Sequence, residues 1–156
     1  MSKKVIIAHR GNLNGPNPAD ENRPDYLLAT IAAGFDVEVD VWGVGDKLFA
    51  GHDEPQYELD QETIGKLNNR AWFHAKNVDA LFRLILLRAK HFFWHQNDDL
   101  AMTSCGKLWT LAGKELSPLS IAVMPENAPE WDLSLAYGIC TDCALRYTLA
   151  GSPIQS

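Results

Sequence analysis

The sequence predicts an α/β fold that is regular in its front half and sparse in its back half. A run of apolar, mostly β-branched residues from Val5 to Ala8 is typical of a buried strand. Residues 36–41 alternate acidic and apolar side chains without a break, and residues 78–90 have the apolar spacing of an amphipathic helix. After residue 91, strand candidates follow one another too closely to leave room for helices. We therefore expect a single domain covering residues 1–156.

The expected elements follow in order along the chain. Strands are predicted to begin near residues 5, 36, 71, 91, 100, 107, 119 and 137, with a short return strand at 48–50. Helices are predicted at residues 24–33, 61–69 and 78–90. The stretch between residues 11 and 25 is dense in Asn, Pro and Gly, so it is predicted to be a long loop, and loops of that length usually carry function.

Composition and charge exclude several classes of function. The chain has 156 residues, is 46% hydrophobic, and has a formal net charge of -6 without a dense Lys/Arg run, so we expect no nucleic-acid binding. No segment approaches the roughly 18 apolar residues of a membrane span, so stable membrane insertion is not expected. With three cysteines and no export signal, the chain is expected to be cytoplasmic and to keep free thiols.

The sharpest chemical feature is the pair Glu38 and Asp40. Residues two apart on a strand project to the same side, about 6.6–6.8 Å apart, and Asp36 shares that side. Carboxylates held this close on an apolar strand repel each other unless a cation or solvent relieves them, and hard ions such as Mg²⁺ and Ca²⁺ bind such oxygens. The alternative is an antiparallel edge strand whose charged face meets solvent.

Two histidine segments lie at predicted strand ends. His9–Gly11 (HRG) follows the first strand, and residues 51–53 (GHD) follow the return strand. A third short segment, Glu21 followed by Asn22, lies in the long loop. Histidine transfers protons near neutral pH and arginine binds phosphate, yet each segment is unspecific by itself.

Taken in this order and spacing, the segments resemble the glycerophosphodiester phosphodiesterase family of the PI-PLC-like phosphodiesterases. That family has the pattern HRG, EN, a glycine after the first helix, (V/I)E-x-D-V and HD, and each part has a counterpart here. Residues 138–142 (GICTD) are similar to the family's last-strand motif. The resemblance is dense over the first third of the chain.

The resemblance implies a reduced TIM-like (β/α) barrel, with crossover helices missing from the back half. It implies a metal-dependent phosphoric diester hydrolase that cleaves a glycerophosphodiester or a similar small phosphodiester, with a place in lipid metabolism. It assigns acid/base catalysis to His9 and His52, substrate binding to Arg10 and Lys76, and one divalent metal to Glu38, Asp40 and Glu21.

The third strand departs from the family pattern, which has E-x-K where this chain has His74-Ala75-Lys76. His74 is therefore the candidate for the remaining metal ligand. Mg²⁺ or Ca²⁺ is the expected ion, but an imidazole is a better ligand for Mn²⁺ or Zn²⁺, so these stay open. A buried, hydrogen-bonded histidine without metal is the alternative interpretation.

Two other functions remain open at this stage. A phosphodiester lyase would stop at the cyclic phosphate, and a catalytically weak protein on the same fold would only bind a phosphate ligand. Strands without covering helices leave an apolar outer wall, so a homodimer through the back half is also expected.

Overall fold

The computed structural model describes residues 3–148 and has a mixed α/β fold with ten strands in one sheet. The strands are β1 Val5–Ala8, β2 Asp36–Val44, β3 Lys47–Ala50, β4 Tyr57–Leu59, β5 Ala71–Ala75, β6 Phe92–Phe93, β7 Leu100–Met102, β8 Leu108–Thr110, β9 Ser120–Val123 and β10 Gly138–Thr141. The helices are α1 Pro24–Ala32, α2 Gln61–Leu67 and α3 Val78–Leu86. Every strand expected from the sequence is present, and the α/β class is confirmed. The short strand β4 was not expected.

Strand β2 lies at the centre of the sheet. It pairs in parallel with β1 and β5, while its far end pairs antiparallel with β3. Its valines Val37, Val39 and Val41 are fully buried on one face, and Glu38 and Asp40, each 1% exposed, are buried on the other. The antiparallel edge strand considered as an alternative is therefore wrong, because β2 has a parallel neighbour on each side and its acidic face is buried.

The parallel strands run in the order β6, β5, β2, β1, β10, β9 and β8, and β7 is antiparallel to β8. Within residues 3–148 no strand ladder joins β6 to β7. A single backbone hydrogen bond reaches across, from the amide of Ser104 to the carbonyl of Phe92 at 2.8 Å. The parallel order brings the carboxyl ends of the main strands to the same edge of the sheet.

The helices cover the front half. The Asp60 and Asn77 side chains cap the first turns of α2 and α3, each accepting a backbone N–H. Helix α3 ends at Leu86, earlier than the predicted 90, because Arg88 is left-handed (φ 53°) and turns the chain toward β6. Beyond α3, the helical segments of the described chain are only short 3₁₀ turns.

Helix α3 packs directly on β2. A Cβ on Gly43 would lie 2.6 Å from the backbone nitrogen of Ala80, so this approach needs glycine. The core between helices and sheet is built mainly from Val37, Val39 and Phe73. None of the helices that the structure describes combines the length and apolarity required to cross a bilayer.

Candidate active site

The predicted functional side chains meet at the carboxyl ends of the parallel strands. His9 and Arg10 follow β1, His52 follows the β2–β3 hairpin, and Lys76 follows β5. The strands themselves contribute Glu38, Asp40 and His74. Five of the other predicted residues have a side-chain nitrogen within 4.0 Å of a Glu38 or Asp40 oxygen, whereas Glu21 has different neighbours; the five are His9, Arg10, His52, His74 and Lys76.

Glu38, Asp40 and His74 form a compact group of possible metal ligands. One ligand atom from each lies within 4.8 Å of the others. The Nδ1 of His74 is 3.1 Å from Asp40 Oδ1 and 3.7 Å from Glu38 Oε1. Because β5 is in register with β2, with His74 opposite Asp40, the imidazole stands beside the carboxylates.

The backbone orients His74. Its Nε2 donates a hydrogen bond to the carbonyl oxygen of His95 at 2.9 Å, so Nδ1 is the nitrogen that faces the carboxylates. Metal-binding histidines are commonly held in this way by a carbonyl on the far nitrogen. Burial lowers the pKa of His74, but hydrogen bonds and charge from Asp40 and Glu38 outweigh burial and raise its pKa to about 9.

Arg10 closes the group from the side of β1. The backbone of Arg10 is in the left-handed conformation (φ 53°). Its guanidinium Nε lies 3.1 Å from Asp40 Oδ2. Its other nitrogens contact Glu21 Oε2 at 3.1 Å and His52 Nδ1 at 2.7 Å. Burial alone would raise the pKa of Asp40, but hydrogen bonds from His52 and His74 and the charge of Arg10 hold its pKa well below the usual value.

His9 is held by the Asp142 carboxylate on one side and faces Glu38 on the other. Its Nδ1 is 2.8 Å from Asp142 Oδ1, which leaves Nε2 3.8 Å from Glu38 Oε2. Burial lowers the pKa of His9, yet the Asp142 hydrogen bond and the Glu38 charge give a net increase. Glu126 accepts the amide N–H of Asp142 at 3.0 Å and so supports this arrangement.

His52 lies at the open side of the site. Its side chain is 42% exposed, and its Nδ1 is 3.2 Å from Asp40 Oδ2. The preceding Gly51 has no room for a side chain, since a Cβ there would lie 2.0 Å from the carbonyl oxygen of Glu54. The tight turn after β3 therefore sets the position of His52.

Glu21 lies outside the group formed by Glu38, Asp40 and His74. Its Oε2 accepts from Arg10 Nη1 at 3.1 Å, and its Oε1 accepts from Asn12 Nδ2 at 2.9 Å and from the Asn17 amide at 3.2 Å. The carboxylate predicted to bind metal is thus placed to hold Arg10. Lys76 is also near the group, with its Nζ 3.9 Å from Asp40 Oδ1.

Two asparagines that build this network had no role assigned from the sequence, although Asn22 belongs to the Glu21–Asn22 segment named there. Asn22 is buried, and its backbone is in the left-handed conformation (φ 64°). Its Nδ2 donates to Asp40 Oδ2 at 3.0 Å, and its Oδ1 accepts a hydrogen bond from the Asp40 amide at 3.0 Å. Asn12, fully buried, donates to both Glu21 and Asp142. The density of Asn in the first loop was the available signal, since Asn tolerates left-handed backbone and both donates and accepts.

Two cavities open on either side of His52. The Glu21 cavity, about 270 Å³, is lined by Arg10, Pro18, Glu21, Asn22, His52, Asp53, Glu54 and Gln56. The Lys76 cavity, about 360 Å³, is lined by His52, His74, Ala75, Lys76, Trp94, His95 and Gln96. A cavity of about 380 Å³ on the outer side, near Ile64 and Leu87, shares no residue with this site.

No protein-family model matches the chain, and no curated protein sequence matches it. Among solved structures, the chain is similar to a glycerophosphodiester phosphodiesterase from Parabacteroides distasonis ATCC 8503. The two are 15% identical and superpose with a TM-score of 0.47 over 94% of this chain and 96% of that chain.

Proposed function

We propose that this chain is a metal-dependent phosphodiester hydrolase acting on a glycerophosphodiester or a similar small phosphodiester. The observation that carries the proposal is the convergence of His9 and His52 on the Glu38–Asp40–His74 group. The sequence resemblance supplies the reaction class, and the geometry supports it with two imidazoles, two carboxylates and nearby cations around one opening.

The proposed framework is a reduced TIM-like barrel. The uninterrupted parallel order from β6 to β8 supports it, as does the Ser104–Phe92 hydrogen bond between β6 and the segment after β7. The front half supplies the helices that cover the sheet, whereas the described back half has strands with only short 3₁₀ turns as helical structure. Active sites of such barrels lie at the carboxyl ends of the strands, where these residues meet.

Glu38, Asp40 and His74 would hold the metal. Their ligand atoms lie close enough together, and the His95 carbonyl already directs Nδ1 of His74 toward the carboxylates. Two carboxylates with one imidazole suit Mn²⁺ or Zn²⁺ better than the Mg²⁺ or Ca²⁺ favoured by the sequence alone. When bound, such an ion neutralises phosphate charge and polarises the phosphorus–oxygen bonds.

The remaining residues would move protons and hold the phosphate. His9, oriented through Nδ1 by Asp142, takes the proton from the attacking hydroxyl or water at Nε2. As the new bond to phosphorus forms, the bond to the leaving alkoxide breaks, and His52 gives that oxygen a proton. Lys76 and Arg10 would bind phosphate oxygens, because both are cations beside the acidic group.

Turnover of glycerophosphocholine, which has a free hydroxyl and an alkoxide leaving group, with Mg²⁺, Ca²⁺, Mn²⁺ or Zn²⁺ tests the proposal. We expect His9→Ala and His52→Ala to lose about 10²-fold or more in kcat while keeping their circular dichroism. His91→Ala is the matched control, because His91 stacks on Trp72 at 4.2 Å, away from the acidic group. Retained activity in both site variants would contradict the proposal. Phosphorus NMR of the products identifies a lyase if a cyclic phosphate accumulates.

A phosphate-ligand-binding protein without strong catalysis is the second candidate. The charge balance favours it: Arg10, Lys76 and a protonated His74 offset the three carboxylates of Glu21, Glu38 and Asp40 without a metal. Calorimetric titration separates the two candidates. Binding of any of the four ions at micromolar to millimolar levels supports the hydrolase, and no binding supports the ligand-binding protein.

We also propose that the back half binds a second copy of the chain. Strand β7 ends the sheet and exposes Leu100 and Met102, and Leu119 and Leu135 are further exposed apolar side chains of the back half. Unpaired, apolar strand edges favour association. A dimer by light scattering that becomes monomeric in Met102→Lys is expected, and a wild-type monomer at high micromolar concentration would contradict it.

A further inference from the structure

Asn12 lies between the two sides of the candidate site. It directly follows the His9–Gly11 segment, and it is fully buried. Its Nδ2 donates one hydrogen bond to Asp142 Oδ1 at 2.8 Å and another to Glu21 Oε1 at 2.9 Å. Because an amide nitrogen carries two hydrogens, both hydrogens of Asn12 are used on carboxylates.

Tyr26 fixes the direction in which the Asn12 amide points. Its hydroxyl donates a hydrogen bond to Asn12 Oδ1 at 3.1 Å. An amide turned the other way would place its oxygen against two carboxylates, which only accept hydrogen bonds when they are ionised. The surrounding donors and acceptors therefore favour one orientation, with both amide hydrogens on the acidic side.

Each of these two carboxylates also holds one residue of the proposed machinery. Asp142 Oδ1, the oxygen that accepts from Asn12, lies 2.8 Å from His9 Nδ1. Glu21 accepts from Arg10 Nη1 through its other oxygen, Oε2, at 3.1 Å. Asn12 is thus linked to His9 through Asp142 and to Arg10 through Glu21.

The two carboxylates depend on Asn12 because they are close together and poorly solvated. Both accept from the same nitrogen atom, so their charges repel each other at short range. The Asp142 side chain is 9% exposed and the Glu21 side chain 13%. Loss of the shared donor leaves both acceptors without a partner in this place and lets them move apart. The groups that they hold would move with them.

We infer that Asn12 is a positioning residue that aligns His9 through Asp142 and Arg10 through Glu21. In the proposed reaction His9 moves a proton and Arg10 binds phosphate. Asn12 therefore acts on kcat along the first route and on KM along the second. The inference rests on the proposed function and adds to it a residue that acts through its neighbours.

The kinetics of Asn12→Ala with glycerophosphocholine test the inference. We expect kcat to fall about tenfold and KM to rise about tenfold, because small displacements of positioned groups are costly in catalysis. Asn14→Ala is the matched control, since Asn14 is an exposed asparagine of the same loop. It should keep both values within about twofold of the wild type. Circular dichroism and urea denaturation show whether each variant is folded.

Double-mutant cycles separate positioning from a general loss of packing. In the Asp142→Ala background, Asn12→Ala should lower kcat by less than about threefold, because the route to His9 is already broken, and should still raise KM. In the Glu21→Ala background, it should raise KM by less than about threefold and still lower kcat. A purely structural role of Asn12 predicts the same two changes in every background.

The outcomes distinguish the inference from the proposed function. Equal changes in every background, or values for Asn12→Ala that match those of Asn14→Ala, overturn the inference alone. If Asn12→Ala does not fold, Tyr26→Phe decides. It removes the donor to Asn12 Oδ1 and should lower kcat and raise KM by about threefold each, and unchanged values overturn the inference. Absence of wild-type turnover of glycerophosphocholine with all four ions overturns the proposed function and the inference with it.

Discussion

Three acidic side chains lie in a row on one face of strand β2, and the two ends of this row, Asp36 and the Glu38–Asp40 pair, have different surroundings. Asp36 forms an ion pair with Arg70 and accepts the indole N–H of Trp72 at 3.0 Å, so each of its oxygens has its own partner. Glu38 and Asp40 are instead surrounded by more cationic and titratable groups than two carboxylates need, with two cavities beside them. These groups are His9, Arg10, His52, His74 and Lys76.

The comparison shows what separates a structural carboxylate from a functional one in this chain. Residue type, strand and face are the same at both ends. An excess of cationic and titratable donors over carboxylates next to open space marks the functional end, because such donors can bind an added anion. The predictions below test this difference, starting with the largest effect.

Neutralising the two ends should affect activity very differently. Asp40→Asn is expected to lower kcat/KM for glycerophosphocholine by about 10³-fold, because it removes a proposed metal ligand worth several kcal/mol in the transition state. Asp36→Asn is the matched control on the same strand face and should retain activity within about threefold of the wild type, since its partners lie outside the site. Equal losses in both variants would remove the distinction between the two ends.

Removing the partner of His9 should have the next largest effect. Asp142→Asn keeps the size of the side chain but no longer stabilises protonated His9, so kcat should fall about 10²-fold. The same change should lower the pKa of His9, because the Asp142 hydrogen bond and charge raise it. NMR titration of His9 and the acidic limb of the pH–rate profile measure this shift. A fall in kcat without any pKa change would make Asp142 only a packing residue.

Metal affinity should depend on pH through His74. With a pKa of about 9, His74 is protonated at neutral pH, so a metal must displace that proton. The apparent association constant for Mn²⁺ is expected to rise about tenfold per pH unit and to level off near pH 9. Calorimetry at several pH values measures the slope, and His74→Gln should flatten it. A slope that survives in His74→Gln would assign the proton to another group.

The smallest effect expected is on stability at the structural end of β2. Arg70→Met removes the ion pair of Asp36 and leaves its carboxylate the Trp72 hydrogen bond. The free energy of unfolding should fall by about 1 kcal/mol, a small loss because the ion pair is partly exposed. Urea denaturation measures the change, with Lys66→Met as the control, since Lys66 pairs with the exposed Glu62. No loss relative to Lys66→Met would make the Asp36 pair energetically neutral.

Local patterns predicted much of the fold because each strand carries its own signal. The alternation in residues 36–41 gave both the strand and the face that carries Glu38 and Asp40. The end of α3 was missed because its apolar spacing continues past Leu86, and only the left-handed backbone at Arg88 stops it. Strand β4 was missed because three residues are too few to show a period of two.

The sequence predicted which residues belong to the candidate site better than it predicted which of them contact one another. Short motifs at strand ends brought His9, His52 and His74 to attention. No local pattern, however, shows that Glu21 holds Arg10 or that Asn22 fixes Asp40, since these contacts depend on how the long loop folds back over the strand ends. The link between His9 and Asp142 joins opposite ends of the chain and is likewise a tertiary contact.

Strand β2 forms a hairpin with β3 and also pairs in parallel with β1 and β5, and this affects the order in which the site assembles. Asp40 and His52 are only 12 residues apart on one hairpin, whereas His9 and Asp142 are separated by 133 residues. Short loops close at a smaller entropic cost than long ones, and contacts distant in sequence slow folding. During refolding, the acidic group and His52 would therefore come together before β10 docks on β1. Pulsed hydrogen exchange should show the β2–β3 amides protected before those of β1 and β10, whose pairing brings His9 to Asp142.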